Sequence, residues 1–186
     1  MSKSASNKQL ARMMRRRAGV TLVELLVVMG IIVILGTIAT PFVVRGINAA
    51  NRAQAMSEIS SIVRAIEAYQ REYGRLPGSS SHYSNGNAEL INVLRAHNGV
   101  GNNNHANNPR RYNFLSISEE SLSGERNDPV RDYMDPWGDP YEIMIDRSGE
   151  GRIDVPDQLG EPVRRTAVAW SMGGRNDEPE RALRSW

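Results

Sequence analysis

One carboxylate, Glu24, stands in a run of 25 residues, 20–44, that carries no other charge. An ionised carboxylate in the apolar part of a membrane helix costs roughly 2.5–3.5 kcal/mol on insertion scales. It therefore needs either a cationic partner or a path to water at the headgroups, and Glu24 is near enough to the end of the run for both. Arg15-Arg16-Arg17-Ala18-Gly19 comes directly before the run. A glycine there reads as an ordinary loop residue, or as a cutting point where a peptidase must approach bare backbone.

A second group of oxygens lies at 146–157. Asp146, Ser148, Glu150, Asp154 and Asp157 fall at positions 1, 3, 5, 9 and 12 of a loop, with Gly151 at 6 and Ile153 at 8. That spacing is the EF-hand-type calcium pattern, in which alternate residues turn oxygens inward around a sharp glycine turn. Serine at the third position, glutamate at the fifth, the short Asp157 at the twelfth and Pro156 before it all depart from the pattern. An acidic turn joining two strands is the competing reading. His82, His97 and His105 lack metal spacing and are expected as solvated loop residues. No nucleophile elbow, phosphate loop or HExxH is present, so no enzyme is expected. Trp137, Trp170 and Trp186 are expected to anchor a core or an interface.

The elements that must position these groups follow from periodicity. Residues 20–44 are long enough to cross a bilayer core as a helix, which takes about 20 residues. The preceding arginines should keep the N-terminal side in the cytoplasm. The apolar pattern then narrows to one stripe, Ile59, Ile62, Val63, Ile66, Tyr69 and Tyr73, which Gly74 and Pro77 terminate. One helix over 20–73 is predicted, with Pro41 and Gly46 bending or loosening it. Beyond it the spacing predicts a short helix over 88–96 and, from composition, a flexible loop over 98–104. A turn at 135–140 should lead into a strand carrying Tyr141, Ile143 and Ile145 on alternate positions, and a second strand is predicted over 166–171. The chain thus divides into a basic leader (1–19), an apolar helix (20–44), its amphipathic continuation (45–74), a variable region with a short helix (75–132) and a C-terminal region of strands and loops (133–186).

Composition narrows the function classes. There is no cysteine, so disulfides and thiolate metal sites are excluded. The net charge of +2 conceals six basic and no acidic side chains in 1–19, leaving 17 basic against 21 acidic residues beyond it. The folded part is mildly acidic, which weakens any nucleic-acid reading.

Gly19-Val20-Thr21-Leu22-Val23-Glu24-Leu25-Leu26-Val27-Val28 resembles the prepilin cleavage and methylation motif of the type IV pilin-like family. Pro41 falls where that family commonly has a helix-bending proline. Tyr69 through Pro77, Asp135 through Tyr141, and Val168 through Gly174 look like the major pseudopilins of type II secretion systems. The resemblance implies an α+β, pilin-like fold: a long N-terminal helix, apolar in its first half, packed on a small antiparallel sheet. It also implies cleavage between Gly19 and Val20 by a prepilin peptidase at the membrane, then N-methylation of Val20. Valine stands there in place of the family's usual phenylalanine. Major pseudopilins bind calcium in a C-terminal loop, which here is 171–178 with Asn176 and Asp177, although Gly173-Gly174-Arg175 replaces the usual Asp-Gly pair.

Cleavage would create an α-amino group four residues from Glu24. Pairing that amine with Glu24 of a neighbour neutralises both charges and sets the axial offset, since a slip leaves a buried charge alone. The expected function is therefore a structural subunit of a type II secretion pseudopilus or type IV pilus-like filament. Its expected partners are other copies of itself, prepilin peptidase, the membrane, minor pseudopilins and an inner-membrane assembly platform with a separate ATPase. The expected location is the bacterial inner membrane with the C-terminal part periplasmic, then the filament. The alternative is a single-pass, membrane-anchored envelope binding protein that does not polymerise.

Overall fold

A computed structural model describes residues 20–126, 128, 130–174, 178 and 181–186, with the backbone alone at Ala39 and Pro41. Helix α1 spans Leu22–Tyr73, 52 residues, and the chain divides into two compact units, Met1–Gly46 and Ile47–Trp186. Within the first, the described apolar side chains are exposed, Leu22 to 80% and Ile34 to 61%. The hydroxyls of Thr37 and Thr40 donate to the carbonyls of Val33 and Gly36, both at 2.8 Å. This return to the helix's own backbone satisfies them without water, as an apolar surrounding requires.

In the second unit the stripe is real and sharply defined. Ala55, Ile59, Ile62, Ile66 and Tyr69, at alternating steps of four and three, are all fully buried or nearly so. The helix ends where Gly74 takes a left-handed φ of 66° and donates its N–H to the Gln70 carbonyl at 2.8 Å. Four antiparallel strands follow in sheet order: β1 His82–Tyr83, β2 Glu142–Ile145, β3 Ala167–Ser171 and β4 Leu183–Arg184. The short helix α2, Ala88–Leu94, buries Leu90, Ile91, Val93 and Leu94 in the same core. The fold is α+β, a long N-terminal helix packed on a small antiparallel sheet.

Strand β3 is buried on both faces, and its residue order explains how. Ala167 and Ala169 face the helix cluster, small enough to let the helix lie close. Val168 and Trp170 face the opposite way, into a second cluster with Ile153, Val155 and Leu159. Segment 153–163 folds back over the sheet there, closed by reciprocal 2.9 Å bonds between Ile153 and Val163. The sequence did not suggest this outer layer.

The asparagine-rich segment differs from expectation. Composition predicts a flexible loop over 98–104, yet Asn102 and Asn108 are fully buried. The Asn102 amide donates to the His97 and Asn92 carbonyls at 2.8 and 3.3 Å, and its oxygen accepts from Asn107 and Asn108 N–H. The Asn108 amide donates to Val93 and Tyr112 carbonyls, both at 2.8 Å, and accepts the Tyr73 hydroxyl at 2.7 Å. These amides add a second donor to carbonyls at the end of α2 that already accept a backbone N–H, Asn92 from His97 and Val93 from Ala96, and so tie the segment to that helix. A loop rich in side-chain amides has here become part of the core. The histidines depart likewise: His97 is exposed, but His82 is in β1 with Nε2 3.5 Å from Glu142, and His105 is partly buried.

Candidate functional site

The N-terminal end of α1 is built by two side chains that hold each other. Thr21 donates its backbone N–H and its hydroxyl to Glu24 Oε2, both at 3.1 Å, while Glu24 N–H donates to Thr21 Oγ1 at 3.2 Å. This is a reciprocal capping box, satisfying helix N–H groups that lack a partner in the preceding turn. Glu24 also places negative charge in the first turn, where the helix dipole favours it. The signal is present in the sequence as Thr21-x-x-Glu24 at the start of the apolar run. Val20 lies immediately before this cap; Gly19 lies outside the described residues. Pro41 lies within α1.

A second constellation joins two segments distant in sequence. Asp135 Oδ1 accepts the N–H groups of Trp137 and Asp139 at 2.9 and 3.0 Å, closing the turn, and Oδ2 accepts the hydroxyl of Ser171 at the end of β3. Ser171 Oγ in turn accepts Gly173 N–H at 2.9 Å. The Trp137 ring then lies against Gly174, where an added Cβ would fall 2.8 Å from Cδ1. The turn at 135–140 and the Ser-Met-Gly-Gly at 171–174 are therefore one unit. Nearby, the Tyr141 hydroxyl donates to Glu58 on α1. Burial, then that bond and the Glu58 charge, push the Tyr141 hydroxyl pKa far up; Tyr133 is raised by burial and by Glu58.

The loop at 146–157 is organised by Asp146. Its Oδ1 accepts from Ser148 Oγ and Gly149 N–H at 2.8 and 2.9 Å, and Oδ2 accepts Gly151 N–H at 2.6 Å. The Ser148 hydroxyl and these N–H groups hold the Asp146 pKa below its ordinary value. Asp154 pairs with Arg152 at 2.8 Å, Asp157 opens a 3-10 turn, and Glu150 is exposed. Among the described residues, no three of His, Cys, Asp and Glu converge as they would around an ion. Asn176 and Asp177 lie outside the described residues.

Residues 14–40 match the Prokaryotic N-terminal methylation motif. The chain is 28% identical over 141 residues to the type II secretion system core protein G of Aeromonas hydrophila, covering 76% of this chain and 81% of that protein. No solved structure matches the chain.

Proposed function

We propose that this pseudopilin-like chain is the precursor of a filament subunit, cut after Gly19, methylated at Val20 and polymerised into a type II secretion pseudopilus. One observation carries the reading: an apolar helix with its side chains exposed begins in a carboxylate-bearing cap, inside a matched methylation motif. Exposed apolar surface of this extent must be covered, first by lipid and then by the helices of neighbouring subunits. The helix is long and apolar enough to cross a membrane. Its basic flank places the N-terminal side in the cytoplasm and residues 47–186 in the periplasm.

Cleavage would free an amine on the residue preceding Thr21, whose N–H already points at Glu24. The capping bonds go to Oε2, which leaves Oε1 as the oxygen to accept a second donor. Glu24 thus has two roles in order: it first caps its own helix, then accepts the amine of an adjacent subunit. That contact fixes the axial register, because misalignment leaves charge unpaired in an apolar bundle. The chain carries no nucleotide-binding motif, so growth depends on a separate ATPase and platform, and minor pseudopilins would share the same helix packing.

Mass spectrometry of the chain from cells with and without prepilin peptidase tests the reading. The expected N-terminus is methylated Val20, present only with the peptidase and absent from Gly19→Leu. Cysteines introduced at Val23 and Val27, which leave Glu24 and Val20 in place, should crosslink neighbouring subunits into ladders. Filaments beginning at Val20 from Gly19→Leu would refute the cleavage step, and a chain that keeps residues 1–19 with no ladders would favour a monomeric anchor.

A further inference from the structure

Trp137 is half-buried, and two grooves flank it. One, of about 130 Å³, is lined by Asn48, Arg52, Trp137, Gly173 and Gly174. The other, of about 610 Å³, runs past Asn51, Gln54 and Glu120 along the turn that carries the same ring. Both are walled by the first turns of α1 in the unit Ile47–Trp186. The ring is held rigidly: the Asp135 carboxylate fixes its backbone N–H, and Gly174 presses on its inner face. A pre-positioned indole, open on one side and bordered by amides and an arginine, is suited to a partner that is part apolar and part anionic.

The chain itself indicates the partner. The apolar stretch, without charge beyond Glu24, ends at Val44, and Arg45 and exposed Arg52 follow it. Asn48 and Arg52 are four and eight positions past Val44, so Trp137 is tethered a few residues from wherever the apolar stretch leaves a bilayer. Headgroup regions are where tryptophan rings collect and where guanidinium groups pair with phosphate. From this proximity along the chain we infer that Trp137 and Arg52 form a phospholipid-headgroup site, occupied while the subunit is held in the membrane. The inference rests on the membrane-anchored reading above. Glu120, on the far groove, is the opposing charge and would keep anionic lipid to the Arg52 side. On polymerisation the site would exchange lipid for a neighbouring subunit.

The test uses the full chain in nanodiscs of phosphatidylethanolamine and phosphatidylglycerol, with a fraction of lipids brominated near the headgroup end of the acyl chain. Trp170 is buried and Trp186 packs against it with ring centroids 6.1 Å apart, so the Trp137 signal is the difference between wild type and Trp137→Phe. That difference emission should be blue-shifted and lost on bromination. Arg52→Glu, which leaves the ring in place and is read against Arg52→Glu combined with Trp137→Phe, should restore it. Unquenched, red-shifted Trp137 emission from chain that co-purifies with the discs overturns the inference while leaving the anchor intact. Chain that fails to enter the discs overturns the anchor reading, and the inference with it.

Discussion

Asn87→Ala removes a side chain that is fully buried and joins three segments of the unit Ile47–Trp186. Its amide donates to the Tyr133 and Tyr141 carbonyls at 3.0 and 2.9 Å, and its oxygen accepts Tyr133 N–H at 2.7 Å. The losses are unequal. Tyr133 O keeps a second donor, Tyr141 N–H at 3.1 Å, so the groups orphaned are Tyr133 N–H and Tyr141 O. Each unsatisfied buried polar group costs about 1–3 kcal/mol, giving about 3–4 kcal/mol for the pair if some water enters. At roughly 2–4 °C per kcal/mol for a unit of this size, melting should fall by roughly 10 °C. Urea and thermal unfolding of a soluble fragment beginning at Arg45 would measure this. Asn87→Asp supplies the sharper test. It keeps the acceptor for Tyr133 N–H but sets an oxygen against two carbonyls, so it should be at least as damaging at neutral pH. Acidification should recover part of the loss, as the protonated acid regains one donor. An Asn87→Ala change of less than about 1 kcal/mol, below the cost of one orphaned group, would refute the reasoning, as would an Asn87→Asp variant indifferent to pH.

Gly174→Ala should cost about 1–2 kcal/mol from its left-handed backbone alone, at φ 70°, and more from the Trp137 contact; its near-ultraviolet circular dichroism should show the ring displaced. Tyr133 and Tyr141 have folded pKa values raised above the ordinary 10.0, so their contribution is complete below that pH and is lost as pH climbs beyond it. Alkaline titration should unfold wild type earlier than Tyr141→Phe relative to each protein's own neutral stability, and parallel profiles would contradict this. Thr21→Ala should weaken the α1 cap by about 1 kcal/mol and reduce filament yield less than Glu24→Ala does, because only the latter removes the carboxylate. Calcium, expected from the sequence at 146–157 or at 171–178, should raise the melting temperature of the Arg45 fragment, an effect that Asp177→Asn abolishes if the ion is held at 171–178 and Asp154→Asn abolishes if it is held at 146–157. A melt unmoved by chelator would remove calcium from the account.

Much of the helix was legible because burial on one face imposes a period that can be counted. Ile59, Ile62, Ile66 and Tyr69 are zero-exposure positions, and Gly74 stops the helix by the left-handed turn its lack of Cβ permits. Alternation likewise located β2, and apolar content β3, to within a residue or two. The two-residue strands β1 and β4 were not legible, since a pair of residues has no period. Nor was the asparagine core: the composition that marks a solvated loop also describes a set of amides satisfying one another's backbone. At the functional end, Glu24 stood out by its charge, but its pairing with Thr21 depended on where the helix begins.

The sequence alone determined the order of leader, apolar helix and amphipathic helix, the isolated carboxylate at Glu24, and the resemblance of residues around Gly19 to a processing motif. Those are local matters of charge and spacing along a chain. Tertiary structure decided what distant segments share: that Asp135 and Ser171 bond, that Gly174 supports Trp137, and that Asp146 spends its oxygens on its own loop. Such pairings depend on the sheet register and on which loop crosses which face, and spacing in sequence carries no record of either.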